Sequence, residues 1–96
     1  MTEFIELTHP GEQLRDIMEE LNLSAYRLAQ LISVPQSRVD QIIKGKRSIT
    51  PDTSIRLGKL FGQNPSFWLD IQSSFDLRKH QRELGDLPEI RPLESA

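Results

Sequence analysis

Residues 23–45 read LSAYRLAQLISVPQSRVDQIIKG, from Leu23 to Gly45, and describe two short helices joined by a tight turn. Ser24 is a hydroxyl N-cap for the first of them, whose Ala25, Leu28, Ala29, Leu31 and Ile32 supply its apolar residues. The second runs from about Pro35 to Lys44 and stops at Gly45, which tolerates the left-handed backbone of a helix end. Ala29 falls where the two meet, and its small side chain lets the backbones approach at the steep angle of a helix-turn-helix. Leu28, Ile32, Val34, Val39 and Ile42 then point inward. Gln36, Ser37, Arg38, Asp40, Gln41 and Lys44 are left facing outward, where bases and phosphates are within reach. Ser33 stands in the turn position that glycine usually holds, so a non-glycine residue at positive φ is expected there. Pro35 replaces the hydroxyl residue that commonly caps such a helix.

On either side of this stretch, proline, glycine and hydroxyl residues divide the chain into about five helices with scarce strand signals. An extended lead holding Phe4, Ile5 and Leu7 precedes a helix from about Pro10 to Leu21, with Leu14, Ile17, Met18 and Leu21 spaced i, i+3, i+4, i+7. Thr50-Pro51-Asp52 opens a fourth helix with cap, first-turn proline and an acid near the helix dipole, and Gly62 closes it. Asn64-Pro65 repeats the device for a fifth, ending near His80 or Arg82. The expected architecture is all-α, a five-helix helix-turn-helix domain over residues 1–85, followed by an extended or disordered tail over 86–96.

A chain of 96 residues holds one compact domain with a modest core. Cysteine is absent, which removes disulfides and thiolate metal sites and fits a reducing cytosol. No apolar run approaches the ~18 residues of a membrane span, and the N-terminus is acidic where a signal peptide is basic, so a soluble cytoplasmic protein is expected. The net charge of −2 is unpromising for a polyanion ligand until the charges are placed. Between Ser24 and Phe61, Arg27, Arg38, Lys44, Lys46, Arg47, Arg56 and Lys59 face only Asp40 and Asp52, a local net of +5 between acidic ends. One basic face is the consequence.

Catalytic chemistry finds no foothold. There is no cysteine nucleophile, no phosphate-cradling glycine loop and no cluster of histidine and acid of the kind a nuclease uses, so no enzymatic activity, metal or cofactor is expected. His9 and His80 lie far apart and suit a cap or a surface position. Trp68, Ile71 and Phe75, spaced i, i+3, i+7, read as core packing. Arg56 and Lys59 read as an ordinary solvated face, as do Glu19 and Glu20. By helical position alone, Gln36 and Gln41 fit solvated residues as well as base readers.

The chain resembles the HigA-type antitoxins, a branch of the Cro/C1-type (XRE) helix-turn-helix family with a lambda-repressor-like fold. The stretch from His9-Pro10-Gly11-Glu12 through Gly45-Lys46-Arg47-Ser48-Ile49-Thr50 is similar to that branch, and GQNPSFWLDIQSSFDL resembles its closing Phe-Trp-Leu-x-x-Gln-x-x-x-Asp-Leu signature. Pro35 agrees with the branch. Ser33 and Ser54 depart from it, where glycine and alanine are more usual.

The resemblance implies an antitoxin that dimerises, neutralises a small basic, HigB-like mRNA-cleaving toxin and represses their shared operon at a palindromic double-stranded operator. By similarity, Gln36, Ser37 and Gln41 take the base-reading positions; the paired amide groups of glutamine match the adenine N6 donor and N7 acceptor. Arg38, Lys44, Lys46 and Arg47 are assigned to phosphates, and the first turn from Ser24 to Arg27 offers backbone N–H groups to another. With Phe67, Trp68, Ile71 and Phe75 turned to the core, Leu77 and Leu84, seven apart, are the candidates for a partner subunit in a homodimer whose recognition helices lie about 34 Å apart. A stand-alone XRE-type repressor without a toxin is the alternative, and an inhibitor that no longer binds DNA is a third.

Overall fold

The computed structural model describes residues 8–85 and 90–93, which form five helices and no strand. They are α1 (Pro10–Glu20), α2 (Ala25–Ile32), α3 (Gln36–Ile43), α4 (Pro51–Phe61) and α5 (Phe67–Leu84). The acidic lead Thr2 to Leu7 lies outside the described residues, as does most of the stretch read as a tail.

Local chemistry explains most of the boundaries. His9 caps α1, its Nδ1 accepting the Gly11 N–H at 2.9 Å, and Pro10 occupies the first turn, where its missing N–H removes no helical bond. Ser24 Oγ accepts the Arg27 N–H at 3.0 Å and so caps α2. Helix α2 ends on Ser33 at φ 60° and ψ 51°, the positive φ expected there, and the Val34 N–H turns back to the Ala29 carbonyl at 3.0 Å. Thr50 caps α4 and Gly62 terminates it at φ 68°. Pro35 supplies only its backbone to the start of α3, with no side-chain capping bond.

Helix α5 departs from expectation at both ends. Asn64-Pro65 does not cap it: Asn64 Oδ1 accepts from the Ser66 N–H and Oγ, both at 2.9 Å, closing a turn that delays the helix until Phe67. It then runs to Leu84 and stops at Gly85, whose φ is 63°.

Helices α2 and α3 pack on each other, α1 on α3 and α5, and α4 on α2 and α5. The core between them is Leu14, Met18, Leu28, Ala29, Ile32, Val39, Ile42, Ile49, Leu57 and Trp68, with Val34 packed at its edge. Gly11 allows the closest approach, because a Cβ there would collide with the Ile42 carbonyl at the end of α3. Ser54 is fully buried and both its hydroxyl functions are used: Oγ donates to the Pro65 carbonyl at 2.6 Å and accepts the Leu69 N–H at 3.0 Å, tying α4 to the start of α5. Its departure from alanine therefore carries a function in packing.

Phe67 corrects the expected core. It is 40% exposed, while Trp68 is fully buried and Ile71 and Phe75 are half-buried. Trp68 and Gln72, one turn apart, set the inward face of α5, which leaves Phe67 on the flank with its ring edge-on to the indole at 5.4 Å.

Candidate nucleic-acid interface

Val39 and Ile42 anchor α3 from beneath, so the rotation of the helix is fixed and Gln36, Ser37, Gln41 and Lys44 are all exposed on its outer side. Gln36 Nε2 lies 3.5 Å from Asp40 Oδ2, a long contact one turn along that leaves the amide available. Gln41 Oε1 accepts from Arg47 Nη1 at 3.3 Å, which brings the basic loop after α3 beside the helix it follows. Gly45, at φ 74°, reverses the chain there, and the Lys46 N–H closes on the Gln41 carbonyl at 2.8 Å. Lys44, Lys46 and Arg47 are exposed around that reversal. The three cations thus gather with Gln41 at the C-terminal end of α3, while Gln36 stands exposed at its start.

Ser24 commits an Oγ lone pair to the Arg27 N–H. The N–H groups of Ala25 and Tyr26 precede the first intrahelical bond of α2 and are the ones left for an anion. The Arg27 side chain is exposed, with Nη1 3.4 Å from Gln30 Oε1.

Arg38 stands apart from the other proposed phosphate contacts. Its Nη1 donates to Asp52 Oδ2 at 2.7 Å, and Asp52 also accepts from Arg56 Nε at 3.1 Å. Hydrogen bonds from Arg38 and then Arg56 hold the Asp52 carboxyl below the usual carboxylate range, so it stays ionised between them. The reading of Arg56 as a solvated residue is corrected: its Nη1 donates to the Ile32 carbonyl at 2.8 Å and to the Ser33 carbonyl at 3.3 Å, so it caps the C-terminal end of α2. Lys59 remains exposed. The Asp52–Arg56 spacing of i, i+4 was available in the sequence as a pairing signal. The partnership with Arg38, fourteen residues away, had no such signal.

Of the two places the sequence left open for His9, cap or surface, it takes the cap, with its ring edge-on to Phe75 at 5.2 Å. Desolvation lowers its pKa against the opposing pull of Asp76 and Glu12. Among the described residues no group of three His, Cys, Asp or Glu is placed to hold a metal, and no helix is long and apolar enough to cross a membrane. Leu77 and Leu84 are 61% and 58% exposed on the outer half of α5.

Residues 14–68 match the helix-turn-helix family model. A solved addiction module antidote protein of a HigA family from Coxiella burnetii is 38% identical, with 93% of this chain and 100% of that one aligned at a TM-score of 0.89. The antitoxin HigA of Pseudomonas aeruginosa, solved with the higBA promoter, is 35% identical over 92% of this chain and 99% of its own, with a TM-score of 0.87. Virulence-associated protein I of Dichelobacter nodosus is 37% identical over 86 residues, covering 88% of this chain and 80% of that protein.

Proposed function

The chain belongs to the helix-turn-helix family, in its HigA-type antitoxin branch, and from that premise we propose that it is a dimeric operator-binding antitoxin and autorepressor. The observation that carries the DNA-binding part is the polar outer side of α3, where Gln36, Ser37 and Gln41 are exposed and Gln41 is bonded to Arg47 of the basic loop that follows. In this reading α3 enters the major groove and the two glutamines read base edges, while the loop cations, Arg27 and the first turn of α2 after Ser24 hold phosphates. Arg38 acts differently from the other cations: bound to Asp52, it braces the recognition helix against α4. That the Pseudomonas relative was solved with promoter DNA supports DNA as the ligand.

A palindromic operator needs two copies of α3 related by two-fold symmetry. Leu77 and Leu84 supply the exposed apolar positions for that homodimer. The toxin, a small basic HigB-like RNase, uses a different surface from DNA. Glu12, Asp16, Glu19 and Glu20 are all exposed on α1 and offer a basic partner electrostatic steering.

Co-expression with the toxin encoded beside the gene tests the division of surfaces. A Gln36, Ser37 and Gln41 triple-alanine variant, with its fold checked by circular dichroism, should lose binding to the upstream region and still rescue growth. Loss of rescue in the folded variant would place toxin and DNA on one surface. Binding of the upstream region by wild type in the absence of any neighbouring toxin gene would favour the stand-alone repressor.

A further inference from the structure

We propose that Gln72, oriented by Asp76, is a positioning residue that sets the basic loop after α3 for phosphate contact and joins the DNA face to α5; this rests on the DNA-binding reading above. Gln72 is only 3% exposed, and both ends of its amide are occupied. Its Oε1 accepts the Ile49 backbone N–H at 2.8 Å, across 23 positions of sequence, and its Nε2 donates to Asp76 Oδ1 at 3.0 Å. An ionised carboxylate only accepts, so Asp76 takes the nitrogen side of the amide and turns the oxygen toward Ile49.

Ile49 is held twice, by this bond and by its buried side chain. At the other end of the loop, the Lys46 N–H is bound to the Gln41 carbonyl at 2.8 Å. Only Arg47 and Ser48 lie between the two anchors, so the path of the loop beside α3 is set by them. Among the described residues, the Ile49–Gln72 contact is the one hydrogen bond that links residues 44–49 to α5. Elsewhere a cleft of about 230 Å³ separates Lys46 and Arg47 from Phe75, Asp76 and Lys79. Trp68, Gln72 and Asp76 follow at intervals of four on one face, and Leu77 comes next in the chain. The clamp therefore sits at the junction between the packed half of α5 and its exposed half.

The test is operator affinity as a function of salt for wild type, Gln72→Met, Lys46→Ala and the double variant, together with Asp76→Asn and Asp76→Ala. Gln72→Met keeps the volume and removes the acceptor. It should speed hydrogen exchange at the Ile49 amide and flatten the slope of log affinity against log salt by about 0.9, one phosphate contact. Because both substitutions act through the same loop, Gln72→Met and Lys46→Ala should be non-additive. The two Asp76 variants remove the same charge, but Asn keeps an acceptor for the amide, so Asp76→Asn should retain a steeper salt slope than Asp76→Ala. Additive effects, or identical slopes for the two Asp76 variants, overturn the proposal. Should Gln72→Met fail to fold, the Asp76 pair decides alone. Failure of wild type to bind the operator would remove the DNA-binding reading instead.

Discussion

Helix α3 and the outer half of α5 leave opposite kinds of side chain in solvent. In α3 the apolar residues Val39 and Ile42 are buried between α1 and α2, and the outward face is polar. Past Asp76, the residues of α5 from Leu77 to Leu84 are all exposed, the two leucines among charged and polar neighbours. An element whose apolar groups are satisfied within its own chain presents hydrogen-bonding chemistry suited to a polar ligand. One whose leucines stay in water gains by covering them with another apolar surface.

The comparison breaks most completely at Trp68, which anchors the inner half of α5. Trp68→Ala should destabilise the fold by about 3–5 kcal/mol in a urea titration, since it removes the largest buried side chain and leaves Gln63 Oε1 without the indole N–H. A loss below about 1 kcal/mol would mean that α5 is not part of the core. Leu77→Ser tests the outer half. Its effect should fall on association and leave monomer stability nearly unchanged: sedimentation should show dimerisation weakened by up to about 1.5–3 kcal/mol, the range for a leucine fully buried by the partner. Unaltered sedimentation would separate Leu77 from the interface.

Substitutions on and beside α3 should separate by their dependence on DNA sequence. Gln41→Ala should cost about 1–3 kcal/mol on the cognate operator and little on random DNA, whereas Lys46→Ala should weaken both and lower the salt slope by about 0.9. Equal losses of Gln41→Ala on both DNAs would assign Gln41 to the backbone. The smallest expected effect belongs to His9. Its folded pKa lies below the unfolded value of about 6.5, because burial disfavours the imidazolium and the capping bond to Gly11 requires a neutral Nδ1. Its contribution is therefore present above about 6.5 and is lost as pH falls through the lowered folded value. Between pH 7.5 and pH 5 the melting temperature of wild type should drop more than that of His9→Asn, in which a cap without a titrating group replaces the imidazole; parallel curves would assign the acid sensitivity elsewhere.

Much of the helical plan was legible because its signals are local. Ser24, Thr50, Gly62 and the paired small-and-apolar pattern around Ala29 act within a turn or two of chain, and the positive φ of Ser33 followed from its place between two helices. The start of α5 was misread for the same reason: Asn64-Pro65 has the composition of a cap, but the Asn64 side chain closes a turn on Ser66. Exposure of Gln36, Ser37 and Gln41 followed from the helical period. The ion pair of Arg38 did not, since its partner Asp52 lies on another helix.

Five helices, the helix-turn-helix at their centre, a basic middle between acidic ends and the polar outer face of α3 all follow from the order of residues along the chain. Capping, periodicity and charge are properties of neighbours along the chain, so they can be read without a fold. Only packing pairs Arg38 and Arg56 with Asp52, sets Gly11 beneath the Ile42 carbonyl where a Cβ would collide, and brings Gln72 of α5 to the Ile49 N–H. Each of those depends on two segments meeting at hydrogen-bonding or van der Waals distance after packing. No spacing within either segment records that meeting.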